Sequence, residues 1–164
     1  MKKTYHPLTN PEEIIPLLNK ISVFGSLRNN QLHVLLKLFK LVKYEENEFI
    51  YKRGEASSHI YIIKQGEVKM MIDNEGVFLE LISFGQGDCF GETSVIGIQC
   101  HSSSAKAVKP TELIVIEPHD LLNIFETDKE VFGILILNIA RETARRLHQS
   151  NEALVRYITS RTST

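Results

Sequence analysis

Ile60-Tyr61-Ile62-Ile63-Lys64-Gln65-Gly66-Glu67-Val68-Lys69-Met70-Met71-Ile72-Asp73 is the stretch on which the architecture turns. Two β-rich runs, 59–64 and 67–73, flank a Gln65-Gly66 turn signal. In the second run Val68, Met70 and Ile72 share one face, the alternation of a half-buried strand. Runs of the same kind recur at 41–44, 48–52, 77–84, 104–108 and 112–117. Glu46-Asn47, Lys52-Arg53-Gly54, Asn74-Glu75-Gly76 and Gly85-Gln86-Gly87-Asp88 separate most of them. Several short strands at this spacing predict an all-β sandwich or barrel-like roll.

The pattern is helical on either side. Residues 1–9 carry no periodicity. Asn10-Pro11-Glu12-Glu13 then reads as a helix start, with a capping Asn, a first-turn Pro and two acids at the positive end of the dipole. Ile14, Ile15, Leu17, Leu18 and Ile21 supply an apolar face. After a Gly25-Ser26 break, Leu32, Leu35, Leu36 and Phe39 recur at helical spacing, with Asn29 as the cap. Beyond Pro118 a short helix spans 119–126. Asp128 then caps a long one over about 129–158. Its first half, Val131-Phe132-Gly133-Ile134-Leu135-Ile136-Leu137, is apolar nearly all round and is expected to be buried. In its second half Ala140, Ala144, Leu147, Asn151, Leu154 and Ile158 form a heptad seam, which predicts a homodimer through this helix. The Ser/Thr-rich end, 159–164, is expected to fray.

The 164 residues make one domain of ordinary size, 43% hydrophobic and 24% charged. A net charge of −1 gives no support for nucleic-acid binding. Cys89 and Cys100 are too few for a disulfide scaffold and read as two reduced thiols, at least one of them buried. With no signal peptide and no long apolar run, the expectation is a soluble, cytoplasmic chain without a membrane span. No nucleophile elbow, Gly-Lys-Thr phosphate loop or metal-ligating His/Cys spacing occurs, so neither catalysis nor a metal site is expected.

The segment with the most chemistry is Gly85-Gln86-Gly87-Asp88-Cys89-Phe90-Gly91-Glu92-Thr93-Ser94-Val95-Ile96-Gly97, continuing to His101-Ser102-Ser103-Ser104. Gly91 and Glu92 open a short helical turn whose free N–H groups favour an anion. A carboxylate there accepts hydrogen bonds from a sugar hydroxyl. Hydroxyls at Thr93, Ser94, Ser102 and Ser103 can donate to phosphate oxygens. The residues alone fit a phosphosugar cradle and a turn-rich β-bulge loop equally well.

From about Ile14 to Tyr157 the chain resembles the cyclic-nucleotide-binding domain of the catabolite-activator family and of the regulatory subunits of cyclic-AMP-dependent kinase. Residues 41–54 fit that family's stiff strand pair, and Ile60 to Val68 its most recognisable one. Phe90-Gly91-Glu92 fits the start of its phosphate-binding cassette, and Ala105-Lys106-Ala107 the strand that leaves it. The resemblance implies a mainly β fold with flanking helices: a double-stranded β-helix, or jelly-roll-like β-roll, with N-terminal helices and a long C-terminal helix. It implies one domain over 1–164, with the roll at about 41–117 and the C-terminal helices at about 119–158. It also implies that Gly91 and Glu92 hold the cyclic phosphate by backbone and the ribose by carboxylate, with Thr93, Ser94, His101, Ser102 and Ser103 around the phosphate. On the long helix, Ser150 and Asn151 fall where a hydroxyl pair meets the purine.

One position departs from the family. Where its members carry a phosphate-pairing arginine, this chain has His101. A histidine of ordinary pKa, near ~6.5, is mostly neutral at pH 7. Losing the charged donor costs about 1.5–3 kcal/mol, roughly a hundredfold in affinity. The catabolite activators continue into a helix-turn-helix; no recognition helix is present within these 164 residues. Arg141, Arg145, Arg146, Arg156 and Arg161 are read as the solvated face of the helix rather than a DNA footprint. The functional expectation is a regulatory module for cyclic AMP or cyclic GMP, signalling through its last helix to a separate, unidentified effector protein. The alternative is an interaction or dimerisation module whose cassette no longer binds nucleotide. A third, weaker reading is a thiol or pH sensor at Cys100 and His101.

Overall fold

A computed structural model describes residues 3–8, 10–74 and 77–162. Its strands are β1 (His6–Pro7), β2 (Lys40–Tyr44), β3 (Phe49–Tyr51), β4 (Ile60–Gln65), β5 (Val68–Asn74), β6 (Val77–Phe84), β7 (Cys89–Phe90), β8 (Ser104–Ala107) and β9 (Thr111–Ile116). The helices are α1 (Pro11–Leu18), α2 (Asn29–Leu36), α3 (Glu92–Ile96), α4 (Pro118–Thr127) and α5 (Lys129–Thr162), with a 3₁₀ turn at Ser22–Phe24. All the pairings are antiparallel, in one sheet ordered β1-β2-β9-β4-β7 and a second ordered β3-β8-β5-β6. The two sheets close into a β-roll with helices packed against one side.

The strands differ in how many faces they bury. β4 and β9 sit inside the first sheet and are covered twice. Tyr61, Ile63, Leu113 and Val115 point into the roll, among Val68, Met70, Phe84 and Phe90. Ile60, Ile62, Ile114 and Ile116 point the other way, under Leu18, Leu35, Ile124 and Leu135 from the helices. A strand buried on both faces reads as an unbroken apolar run. The turn that follows β4 needs its glycine: Gly66 has φ +111°, and a Cβ there would lie 2.3 Å from Thr111 Oγ1. β6 is the opposite case. It is an edge strand whose Val77, Phe78, Leu79, Leu81 and Ile82 are all exposed; Phe84 alone turns inward.

The structure corrects several expectations. The N-terminal segment is not patternless: His6 and Pro7 pair with Leu41 and Lys40. Cys89 and Phe90 form a two-residue strand against Ile62 and Tyr61, outside the β-rich runs read from the sequence. Asn29 begins α2 rather than capping it, and the Arg28 amide is held by Gln31 Oε1 at 3.0 Å. Phe78, in the β-rich run 77–84, is 49% exposed. The first half of α5 is buried along one stripe only: Val131, Leu135 and Ile139 are inside, Gly133 and Leu137 outside. The helix continues to Thr162 where fraying was expected, and 163–164 lie outside the described residues. So do Glu75 and Gly76 of the turn signal Asn74-Glu75-Gly76, and residues 1–2 and 9. Asp128 does cap α5, its Oδ1 accepting the Val131 amide at 3.0 Å. Cys89 is buried and Cys100 exposed, both as free thiols.

Two contacts fix where α5 lies. Its apolar stripe packs on the 3₁₀ turn and α4, and Asn138 Nδ2 donates to the carbonyls of Val23 (3.1 Å) and Gly25 (2.8 Å). These bonds satisfy carbonyls that end a helical turn and that would otherwise be buried unpaired.

Candidate functional site

The site is built where β7 meets α3. Pairing with β4 carries Phe90 into the roll, where it stacks on Tyr61 with ring centroids 5.0 Å apart. The chain must then turn back at once, and Gly91 does so with φ +83°. A Cβ at Gly91 would lie 2.9 Å from the His59 carbonyl oxygen and 3.0 Å from Tyr61 Cδ2, so both conformation and space require glycine. Glu92 follows as the first residue of α3 and points inward, only 2% exposed. Burial pushes its pKa up, while Arg146 and its own amide pull it down.

Glu92 has one satisfied oxygen and one that is not. Oε1 accepts from Arg146 Nη1 at 2.9 Å. Oε2 is buried and makes no hydrogen bond to another described residue. A buried carboxylate oxygen without a donor is costly and calls for a specific explanation. Glu92 borders a cavity of about 170 Å³ whose walls include Tyr51, Phe84, Gly91, Thr93, Ser103, Thr143 and Arg146. A more apolar groove of about 520 Å³ shares Glu92, Thr93 and Thr143 and continues between α3 and α5, along Ile96, Ala140, Ala144 and Leu147.

Arg146 comes from α5 and is 19% exposed at its side chain. Besides Glu92, it donates through Nη2 to the Cys89 carbonyl and through Nε to Glu142 Oε1 at 2.9 Å. Its guanidinium carbon sits 4.7 Å from the centre of the Phe84 ring. It therefore does not belong to the solvated face on which the sequence placed it. A signal was present: 131, 135, 139, 142 and 146 step by three and four, so Arg146 continues the stripe of Val131, Leu135 and Ile139. Thr143 and Phe84 also line the cavity and were not among the expected site residues.

The other sequence candidates are spread unevenly. Thr93 is exposed on the cavity wall, and Ser103 is half-buried there with its hydroxyl 3.8 Å from Met70 Sδ. Ser94 is buried, its carbonyl taken by Ser57 Oγ at 3.2 Å. Ser102 is exposed and outside the cavity wall. His101 is 3% exposed and lies flat on Tyr51, with ring centroids 3.5 Å apart and planes 6° from parallel. Its backbone is tied on both sides, to the Gly54 amide (2.8 Å) and the Glu55 carbonyl (2.9 Å). Burial lowers its pKa, against a weaker pull from Glu55, and Nε2 has no partner among the described residues. Ser150 and Asn151 lie further along α5, both exposed and away from the cavity wall.

Comparison with known proteins identifies the family. The model described as "Cyclic nucleotide-binding domain" matches residues 41–128. A cGMP-dependent protein kinase of Plasmodium berghei is 32% identical over 116 residues, 71% of this chain and 12% of the kinase. The chain thus spans about an eighth of that relative's length. A cyclic nucleotide-binding domain from Methylobacillus flagellatus superposes with a TM-score of 0.79 at 21% identity, covering 88% of this chain and 82% of that one. The catabolite activator protein of Thermus thermophilus gives 0.73 at 26% identity, over 81% and 61% of the two chains. The chain belongs to the cyclic nucleotide-binding domain family.

Proposed function

We propose that this cyclic nucleotide-binding domain is a regulatory module that takes a purine 3′,5′-cyclic monophosphate between β7, α3 and α5 and reports its presence through α5. The observation that carries this reading is the buried, unpartnered Oε2 of Glu92, a residue lining a cavity that α5 helps to wall. In this reading Oε2 accepts the ribose hydroxyl. The amides of Gly91 to Ser94 and the hydroxyls of Thr93 and Ser103 face the phosphate. His101 contributes a neutral ring edge rather than a charge, and Ser102 closes the cassette from outside.

Size supports a coupled movement. Small-molecule sites usually offer about 300–1,000 Å³, and the cavity at Glu92 holds about 170 Å³. A nucleotide enters fully only if α5 yields, joining the cavity to the groove that shares Glu92, Thr93 and Thr143. Ligand binding and helix position are then linked, and each shifts the other by the same free energy. The distal seam of α5, with Asn151 fixing register, pairs with a second copy. That pairing brings Ser150 and Asn151 near a bound purine, and an effector protein reads the rearranged helix. The kinase relative is named for cyclic GMP, which makes it the first ligand to titrate.

The test is calorimetric titration of the folded chain with cyclic GMP and cyclic AMP. Saturable micromolar binding of at least one, weakened roughly 30-fold or more in Glu92→Ala, is expected. No binding of either nucleotide would sink the reading. It would leave the interaction-module alternative, which draws on the exposed distal half of α5.

A further inference from the structure

We infer that Arg146, delivered by α5, is the phosphate-pairing cation of this cassette and replaces the charge absent at position 101. The inference rests on the cyclic-nucleotide reading and names the residue that recognises the phosphate. An anion seated beside the Glu92 carboxylate meets like-charge repulsion unless a cation faces both. His101 does not supply one. Its ring is stacked on Tyr51, its backbone is bonded to Gly54 and Glu55, and burial favours the neutral form. Of the residues on the cavity wall, Arg146 is the one cation among those described.

Its geometry suits the task. Three of its five N–H groups are spent on Glu92, Cys89 and Glu142, and two remain for phosphate oxygens. The face of Phe84 and the Glu142 carboxylate hold the guanidinium plane in place before any ligand arrives. Glu92 receives it on Oε1 and keeps Oε2 for a sugar hydroxyl, so the ion pair need not break on binding. The charges facing Arg146 are Glu92 from α3 and Glu142 from its own helix. Arg145 neutralises part of Glu142 from the solvent side. Because the cation rides on α5, withdrawing the helix withdraws the phosphate contact. Affinity and helix position become one variable.

The experiment titrates cyclic GMP and cyclic AMP, by calorimetry and by NMR shift for weak binders, into wild type, R146Q, R146K, R145Q, E92Q and E92Q/R146Q. Circular dichroism confirms that each is folded. R146Q is expected to bind roughly 30- to 100-fold more weakly than wild type. R146K, which keeps the charge but not the fork, falls between the two. R145Q stays within about twofold of wild type, as expected for an exposed charge. The E92Q background separates phosphate contact from mere support of Glu92. There R146Q should still cost at least ~10-fold, whereas a positioning role would cost nothing further. Wild-type binding that R146Q leaves unchanged or strengthens overturns the inference while the cyclic-nucleotide reading stands. Failure of wild type itself to bind removes both.

Discussion

The two halves of α5 obey different rules. Up to Arg146 one stripe of the helix is inside the domain: Val131, Leu135, Asn138 and Ile139 are buried, and Glu142 and Arg146 half-buried. From Leu147 to Ser160 every residue is exposed, including Leu154, Val155, Tyr157 and Ile158. The same helical periodicity runs through both, so local propensity does not distinguish them. What differs is that the domain covers the proximal stripe, whereas the distal apolar residues Leu147, Leu154 and Ile158 fall on another face of the helix and stay bare. Among the described residues Arg146 is the last of α5 that is not exposed, and it is held by the cassette. The boundary between the packed and the bare half therefore coincides with the candidate ligand site.

The largest test of that contrast removes packing. Leu135→Ala should cost about 3 kcal/mol in urea unfolding, from lost transfer energy and the cavity left behind. Leu154→Ala, on the distal heptad seam and bare, should stay within about 0.5 kcal/mol when the chain is kept dilute enough to be monomeric. Next comes the buried amide. Asn138→Ala strips two helix-end carbonyls of their donor and should cost roughly 2 kcal/mol, while Asn151→Ala in the monomer should leave stability nearly unchanged. A distal variant as costly as its proximal counterpart would break the comparison.

A smaller effect lies in the pH dependence of binding. Burial holds the pKa of folded His101 below the ordinary 6.5, so the neutral ring predominates at pH 7–8. Affinity for cyclic GMP should change less than about threefold between pH 6.5 and 8. A roughly tenfold gain at pH 6.5 would assign the phosphate to a protonated His101 instead. The smallest effect concerns Glu92 in the free protein. Its folded pKa is raised above 4.5 by burial, so the folded state binds the proton more tightly than the unfolded state. Its contribution to stability is complete below 4.5 and is lost as pH rises through the higher folded value. The difference in unfolding free energy between wild type and Glu92→Gln should therefore move against wild type across that window. A flat difference would mean that Arg146 fully offsets the burial.

Much of the roll was legible because its signals are local. The continuous apolar run of β4, the glycine turn at Gly66 and the Gly91-Glu92 pair each carry their own reason in the adjoining residues. What escaped reading depends on partners distant in sequence. Cys89 and Phe90 form a strand only because Ile62 and Tyr61 are offered to them. The orientation of His101 is set by Tyr51, which the chain brings to it from β3. Phe78 sits in an apolar run, but β6 is an edge strand and Phe78 stays half exposed beside Phe49. Arg146 is the instructive case: its position in the i, i+3, i+4 series placed it on the buried stripe, while its charge argued for solvent. Spacing prevailed because Glu92 and Glu142 lay ready to pair with it.

Amide hydrogen exchange across α5, with and without saturating cyclic GMP, tests the central claim most directly. The account predicts that ligand changes protection at Gly91 to Ser94 and, in the same titration, along α5 around Thr143 to Leu147, where the packed half meets the bare half. Ligand-induced change confined to the cassette, with α5 exchanging at the same rates throughout, would contradict it.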